Sequence, residues 1–306
     1  MRVIDLPLEL LDARLRGEGL RLAMPPFTAC IRTELPALAP QIAGMYGDFE
    51  LLDEGAFCDF HVALLRGRGL RRWLRPQAEF AVDGRRSFVP LPAAQGLAML
   101  EWGLNWCVAA HGHQYLLIHA AVLERHGRAL LMPAPPGSGK STLCAALLHR
   151  GWRLLSDELA LLDPDTGLLH GMARPVNLKN GSIELIRRFE PAARLSAPMP
   201  NTSKGEVALM RPPAAAVLRA REPARPAWIV LPRWRPGTQA ARFTPLEKAA
   251  CFMAVAGESF NYDIHGLRGF EAMGRLVDSC RTLAFEYEQL DQAADCFAAL
   301  AEQEAP

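Results

Sequence analysis

The stretch 129–149 constrains this chain more than any other. An apolar run, Ala129-Leu130-Leu131-Met132, leads into Pro135-Pro136-Gly137-Ser138-Gly139-Lys140-Ser141-Thr142, and residues 143–149 then read as a helix. Strand, glycine-rich turn and helix form the context in which Gly-Lys-Ser holds phosphate. Gly137 and Gly139 let backbone N–H groups curl around phosphate oxygens, and the helix opening near Lys140 adds its positive dipole end. In such a loop Lys140 reaches the β- and γ-phosphates of a nucleotide, and Ser141 offers a hydroxyl to Mg²⁺. The full pattern asks for glycine at position 134, where this chain has Ala134. Gly151 suits the position just past the helix end.

Composition bounds the rest. The chain has 306 residues, of which 50% are hydrophobic, enough for one large or two ordinary domains with a sizeable core. Its formal net charge is +1, so no overall pull toward nucleic acid or an anionic membrane is expected, and any anion site must be local. Only four of the basic residues are lysines: Lys140, Lys179, Lys204 and Lys248. The seven cysteines include no C-x-x-C pair, which predicts reduced, buried thiols in a cytoplasmic protein, with neither disulfides nor a zinc cluster. No apolar signal region is evident at the N-terminus. The longest apolar stretch, 97–110, is interrupted by Glu101 and Asn105 and is too short to span a bilayer.

The expected fold class is mixed α/β. Residues 1–110 read as a small α+β region, with a helix over 6–15, a strand over 27–31, a hairpin turning at Asp83-Gly84, and a buried helix over 91–110. Residues 111–306 read as the phosphate-loop domain, ending in helices. Runs at 115–118 and 120–123 are strand-like and precede a turn at 125–128. Residues 191–236 hold nine prolines and read as loops broken by one strand, 227–231. From Pro245 the tail reads as three helices, over 246–256, 269–284 and 289–303.

A nucleotide site of this kind also needs a carboxylate. Asp157 and Glu158 follow Leu154-Leu155 directly, where a strand would end facing the phosphate loop. Asp157 could hold the metal through water or accept a proton from an attacking hydroxyl. The alternative is an acidic turn between two strands. His119, one hairpin before the loop, is either a satisfied core residue or a neighbour of the phosphates. Lys179 and Lys204 sit in turn-rich segments that could close over a nucleotide, or are solvated loop residues. Lys248 looks like an ordinary helix surface residue. His111-Gly112-His113 lacks a third metal ligand and reads as loop.

These residues together resemble the catalytic domain of the HPr kinase/phosphorylase family, closest to its HPr-kinase-related kinase A branch. The resemblance rests on Ile118-His119-Ala120-Ala121-Val122, on Gly127-Arg128-Ala129-Leu130-Leu131 with the phosphate loop, and on residues 149–158, and it covers roughly 100–260. It implies a mixed sheet like the nucleotide domain of phosphoenolpyruvate carboxykinase. It implies that Lys140 and Ser141 bind ATP and Mg²⁺; from their positions alone, Pro136, Gly137, Ser138, Gly139 and Thr142 of the loop, with Lys179 and Lys204, are further candidate nucleotide contacts. It makes Asp157 the general base, His119 its assistant, and Ser141, Asp157 and Glu158 the metal-side groups, with Glu158 standing where the family has a second aspartate. The Gly- and Ile-rich segment that serves phosphorolysis in the parent family is not found, and the first 100 residues do not look like the parent's N-terminal domain. The implied activity is ATP-dependent, Mg²⁺-assisted transfer of the γ-phosphoryl group to a hydroxyl, a serine of a small protein or peptide. A nucleotide-binding switch or assembly module and a small-metabolite kinase are the alternatives, and self-association into a homo-oligomer is left open.

Overall fold

The computed structural model describes residues 1–135 and 137–303; Pro136, expected in the phosphate loop, lies outside them. The chain divides into two compact units. The first comprises Met1–Val108, Arg174–Ile183 and Ala193–Leu218; the second comprises Ala109–Ala173, Glu184–Ala192 and Arg219–Pro306. The sequence suggests a single boundary near 110. The structure instead returns two later segments to the first unit, because their strands and buried side chains pack there.

The first unit is built on a six-stranded sheet. Leu20–Met24 pairs antiparallel with Phe27–Thr33, which runs parallel to Phe60–Arg66, which in turn pairs antiparallel with Gln77–Val82. Asp83 and Gly84 have φ values of 48° and 76°, and Val82 faces Arg85 across them. Both turn residues are left-handed, as a two-residue Asp-Gly hairpin requires. The helix Gly96–His111 carries Glu101 among buried apolar residues. That carboxylate accepts a hydrogen bond from the Tyr46 hydroxyl and pairs with Arg174 at 3.2 Å. A buried charge survives only when paired and hydrogen-bonded, and here the partner comes from a returning segment.

The proline-rich stretch is more ordered than its composition suggests. Met199–Thr202 and Gly205–Met210 join Val176–Lys179 in a three-stranded sheet. Pro200 sits on an edge strand, where a missing N–H is tolerated. The strand at 227–231 is longer than expected, Arg225–Trp234. Pro226 flanks an irregularity in its pairing with Arg128–Pro133, and Pro232 lies beyond that pairing.

The second unit holds the other six-stranded sheet, in the order Arg153–Ser156, Ala120–Arg125, Arg128–Pro133, Arg225–Trp234, Arg281–Tyr287, Arg242–Pro245. Its three middle strands, Arg128–Pro133, Arg225–Trp234 and Arg281–Tyr287, are parallel to one another. A smaller sheet of Leu116–Ile118, Ala160–Leu162 and Leu169–His170 lies in the same unit. The apolar faces of Lys248–Gly257 and Tyr262–Ser279 pack into a core with Ile118, Val122, Leu131 and Ile229.

Two expectations for the tail are corrected. The helix expected over 269–284 is Tyr262–Ser279, and Arg281–Tyr287 is a strand inside the sheet. The sequence Thr282-Leu283-Ala284-Phe285-Glu286-Tyr287 is rich in β-favouring residues, and pairing on both sides overrides any helical spacing. Lys248 is not an idle surface residue. Its ammonium donates to the carbonyl oxygens of Val277 (2.6 Å), Asp278 (3.3 Å) and Cys280, capping the C-terminal end of the helix Tyr262–Ser279. A cation there satisfies carbonyls with no intrahelical partner and complements the helix dipole.

All seven cysteines are free, and six of them are buried. Among the described residues no helix is long and apolar enough to cross a membrane. Lys248→Met should lower the stability of the protein by about 1–2 kcal/mol, the scale of charge-assisted hydrogen bonds. The measurement is the urea unfolding midpoint, with the slope of the transition unchanged.

Candidate active site at the phosphate loop

The phosphate loop joins the strand Arg128–Pro133 to the helix Lys140–Leu148, as its spacing predicts. Gly137 and Gly139 have φ values of 90° and 89°. Two neighbouring strands hold the loop at its carbonyls. The backbone N–H of Trp234 donates to the Ser138 carbonyl at 3.0 Å, and the Tyr287 hydroxyl donates to the Gly139 carbonyl at 3.1 Å. Burial pushes the Tyr287 hydroxyl up from its ordinary value, so it stays a neutral donor. A Cβ on Gly139 would stand 2.5 Å from the Tyr287 oxygen and 3.1 Å from Trp234 Cβ, whereas one on Gly137 would meet nothing within 4 Å. Within the loop the Ser138 N–H closes on the Pro135 carbonyl at 3.3 Å. Ala134, where the full pattern asks for glycine, is buried.

The strand Arg153–Ser156 delivers Asp157 and Glu158 at its end. Asp157 is only 5% exposed. Cys144 lies one helical turn after Lys140. Burial first, then the Asp157 charge, hold its thiol well above its ordinary range, so it remains an S–H donor; Lys140 acts on it in the opposite sense and Glu158 in the same sense as Asp157.

His119 stands between the strands Leu116–Ile118 and Ala120–Arg125. Its Nε2 is 3.2 Å from a Glu158 oxygen and its Nδ1 is 2.9 Å from a Glu258 oxygen. A ring bracketed by two carboxylates can hold a proton on either nitrogen and pass it along the line. Glu258 is the residue that sequence reasoning missed. It is 139 positions from His119, and no local pattern marks it. The fold fixes it through the backbone. The His119 N–H donates to the Glu258 carbonyl at 2.7 Å, and Phe260 N–H and the Ser259 hydroxyl both reach the Leu117 carbonyl at 2.9 Å. Buried Asn261 accepts from Leu117 N–H at 2.8 Å and donates to the Tyr115 carbonyl at 2.8 Å. The turn bearing Glu258 is therefore sewn to the strand that presents His119.

Ser141 and Thr142 open the phosphate-loop helix and are half-buried. Lys179 ends a strand of the first unit, and Lys204 lies in a turn of that unit with its ammonium 5.2 Å above the Trp102 ring. The loop, Asp157, Glu158, His119 and Glu258 all belong to the second unit. His113 approaches Asn261 at 3.5 Å. Among the described residues no group of three or more His, Cys, Asp or Glu gathers as a metal set. The Ser141 hydroxyl and the Asp157 and Glu158 carboxylates are hard oxygen donors. They fit Mg²⁺ in the form it usually takes beside nucleotides, shared between one or two carboxylates and phosphate oxygens.

The chain has a distant likeness to a solved HPr(Ser) kinase/phosphatase from Coxiella burnetii. The match covers 61% of this chain and 98% of that one, at 12% identity and a TM-score of 0.28. No protein-family model matches the chain, and no curated protein does. A likeness at that TM-score carries no weight for the chemistry of this site.

Gly139→Ala should abolish nucleotide binding, because it combines a strained φ with a collision against Tyr287. Gly137→Ala carries the backbone strain alone, about 1–2 kcal/mol, and should bind more weakly without losing the site. Titration with a fluorescent ATP analogue distinguishes the two, with melting curves as the folding control.

Proposed function

We propose that the second unit is an ATP-dependent phosphotransferase that moves the γ-phosphoryl group to a hydroxyl, with a serine of a small protein or peptide as acceptor. What supports this reading is His119 bracketed by Glu158 and Glu258, with buried Asp157 directly before Glu158 in the chain. A nucleotide switch needs the loop and a metal carboxylate; it has no use for a histidine set between two glutamates.

In this reading the loop N–H groups and Lys140 hold the β- and γ-phosphates in line with the acceptor. Mg²⁺, when bound through Ser141 and the two carboxylates, neutralises charge that builds on the phosphate oxygens. Asp157 receives the acceptor's hydroxyl proton as the oxygen bonds to the γ-phosphorus and the bond to ADP breaks. His119 steadies Glu158 beside it and offers a path for that proton, and Glu258 is a positioning residue that fixes the ring. Phosphorolysis is not proposed.

A polypeptide acceptor is favoured over a small polar metabolite by the surface beside His119. Phe260 meets the His119 ring edge-on at a centroid distance of 6.1 Å. Phe260, Ile264, Leu267 and Phe270 are all exposed along the adjoining segment. An apolar rim next to the reacting groups suits the side chains that flank a serine in a chain.

Incubation with γ-labelled ATP and candidate peptides or a lysate, followed by mass spectrometry of the labelled product, tests the activity. A labelled serine is expected; labelled free phosphate with no labelled acceptor would sink the transferase reading in favour of the switch. Lys140→Ala should lose transfer. Asp157→Asn should lose about 10²–10⁴-fold in kcat while still binding nucleotide, the range for a general base; full activity in that variant would remove Asp157 from the role. Glu258→Ala should lower kcat about tenfold, a fraction of the same effect, with the KM for ATP unchanged. Its ring ¹⁵N spectrum should show His119 redistributing between tautomers, a change that mere loosening of the fold would not single out.

A further inference from the structure

The first unit carries a surface that the phosphotransferase reading does not use. The strands Phe60–Arg66 and Gln77–Val82 pair as far as Arg66 and Ala78, and the Gly67 N–H closes on the Gln77 carbonyl at 2.9 Å. The connection beyond that point contains a single helical turn, Gly69–Arg72. Trp73 and Leu74 N–H both bond to the Leu70 carbonyl, at 3.1 Å and 2.9 Å. Leu70, Trp73 and Leu74 thus stand at positions i, i+3 and i+4, the spacing that shares one face. Here the three side chains are 77%, 74% and 69% exposed.

The charge around them has one sign. Arg68, Arg71, Arg72 and Arg75 fall in the same connection, and no Asp or Glu occurs between Asp59 and Glu79. The chain as a whole is almost neutral, at +1, so this is a local excess that the total conceals. Residues 68–70 and 73–76 are exposed throughout, which makes the connection a projecting tip and not the wall of a cleft. The apolar rim beside His119 differs in this respect, since Asp263, Arg268 and Glu271 mix both signs along it.

We propose that the tip at 67–76 binds an anionic lipid surface. A projecting turn can enter a fluid plane without a matching groove. Leucine and tryptophan side chains settle at the boundary of headgroups and acyl chains, and arginines pair with lipid phosphates just above them. Clustered basic residues at such a surface are attracted to anionic headgroups within a Debye length, so the contact is salt-sensitive. A tip docked on an acidic polypeptide would share the charge dependence and lack the need for a bilayer.

Flotation of the full chain with phosphatidylcholine vesicles, with and without phosphatidylserine, at low and high salt, tests this. The protein should float with the phosphatidylserine vesicles alone, and less of it at high salt. Arg68→Ala with Arg75→Ala should reduce partitioning about tenfold or more, and Leu70→Ser, Trp73→Ser and Leu74→Ser together should abolish it. Circular dichroism and melting curves check that each variant stays folded; should the triple variant unfold, Trp73→Ser alone gives the same test of the apolar face. Equal flotation with neutral vesicles, no flotation at all, or capture by polyglutamate without flotation would each overturn the proposal.

Discussion

The phosphate loop depends on two hydrogen bonds that reach its carbonyls from parallel strands, from Trp234 N–H to Ser138 and from the Tyr287 hydroxyl to Gly139. A glycine-rich loop has many conformations, and an anion cradle is useful only if its N–H groups converge before the ligand arrives. Engaging the carbonyls on the strand side removes most of those alternatives. The same contact explains why Gly139 admits no side chain: its Cβ position is already filled by Tyr287 and Trp234. The parallel alignment of Arg128–Pro133, Arg225–Trp234 and Arg281–Tyr287 is therefore a condition for the site, because it brings two strand ends under one loop.

Buried charge in both units is handled in one way. Glu101 meets Arg174 and Tyr46 in the first unit, and Glu124 meets Arg153 at 2.5 Å in the second. Arg153 also donates to the carbonyls of Arg219 and Glu222, so its remaining N–H groups are satisfied. Removing one partner of such a pair strands the other in a medium that cannot solvate it. These pairs span long stretches of sequence, and the 174–183 segment belongs to the first unit partly for that reason. The carboxylate–His119–carboxylate line pairs polar groups in the same way at a partly exposed position.

Much of this was legible in the chain. The strand–loop–helix about Lys140, the Asp83-Gly84 and His126-Gly127 turns, and the buried helix ending near 110 follow from local rules of spacing and turn chemistry, and the structure shows each. The strand Arg281–Tyr287 was not legible, because its pattern only makes sense with strands on both sides. Lys248 looked ordinary for a similar reason: its partners, the carbonyls at 277, 278 and 280, are the end of another helix. Nor did nine prolines between 191 and 236 exclude strands, since the three inside strands, Pro200, Pro226 and Pro232, fall at an edge, at an irregularity and past the end of the pairing with Arg128–Pro133.

By itself the sequence determined that a glycine-rich strand–loop–helix would form about Lys140, because glycine φ freedom and a helix N-terminus act over a few neighbouring residues. It also placed Asp157 and Glu158 directly after a strand by the same short-range logic. Only the tertiary structure decided that Glu258 faces His119, that Tyr287 and Trp234 support the loop, and which unit takes the returning segments. Those contacts join residues up to 148 positions apart. Their selection depends on strand pairing and burial across the whole sheet, and no local pattern encodes that.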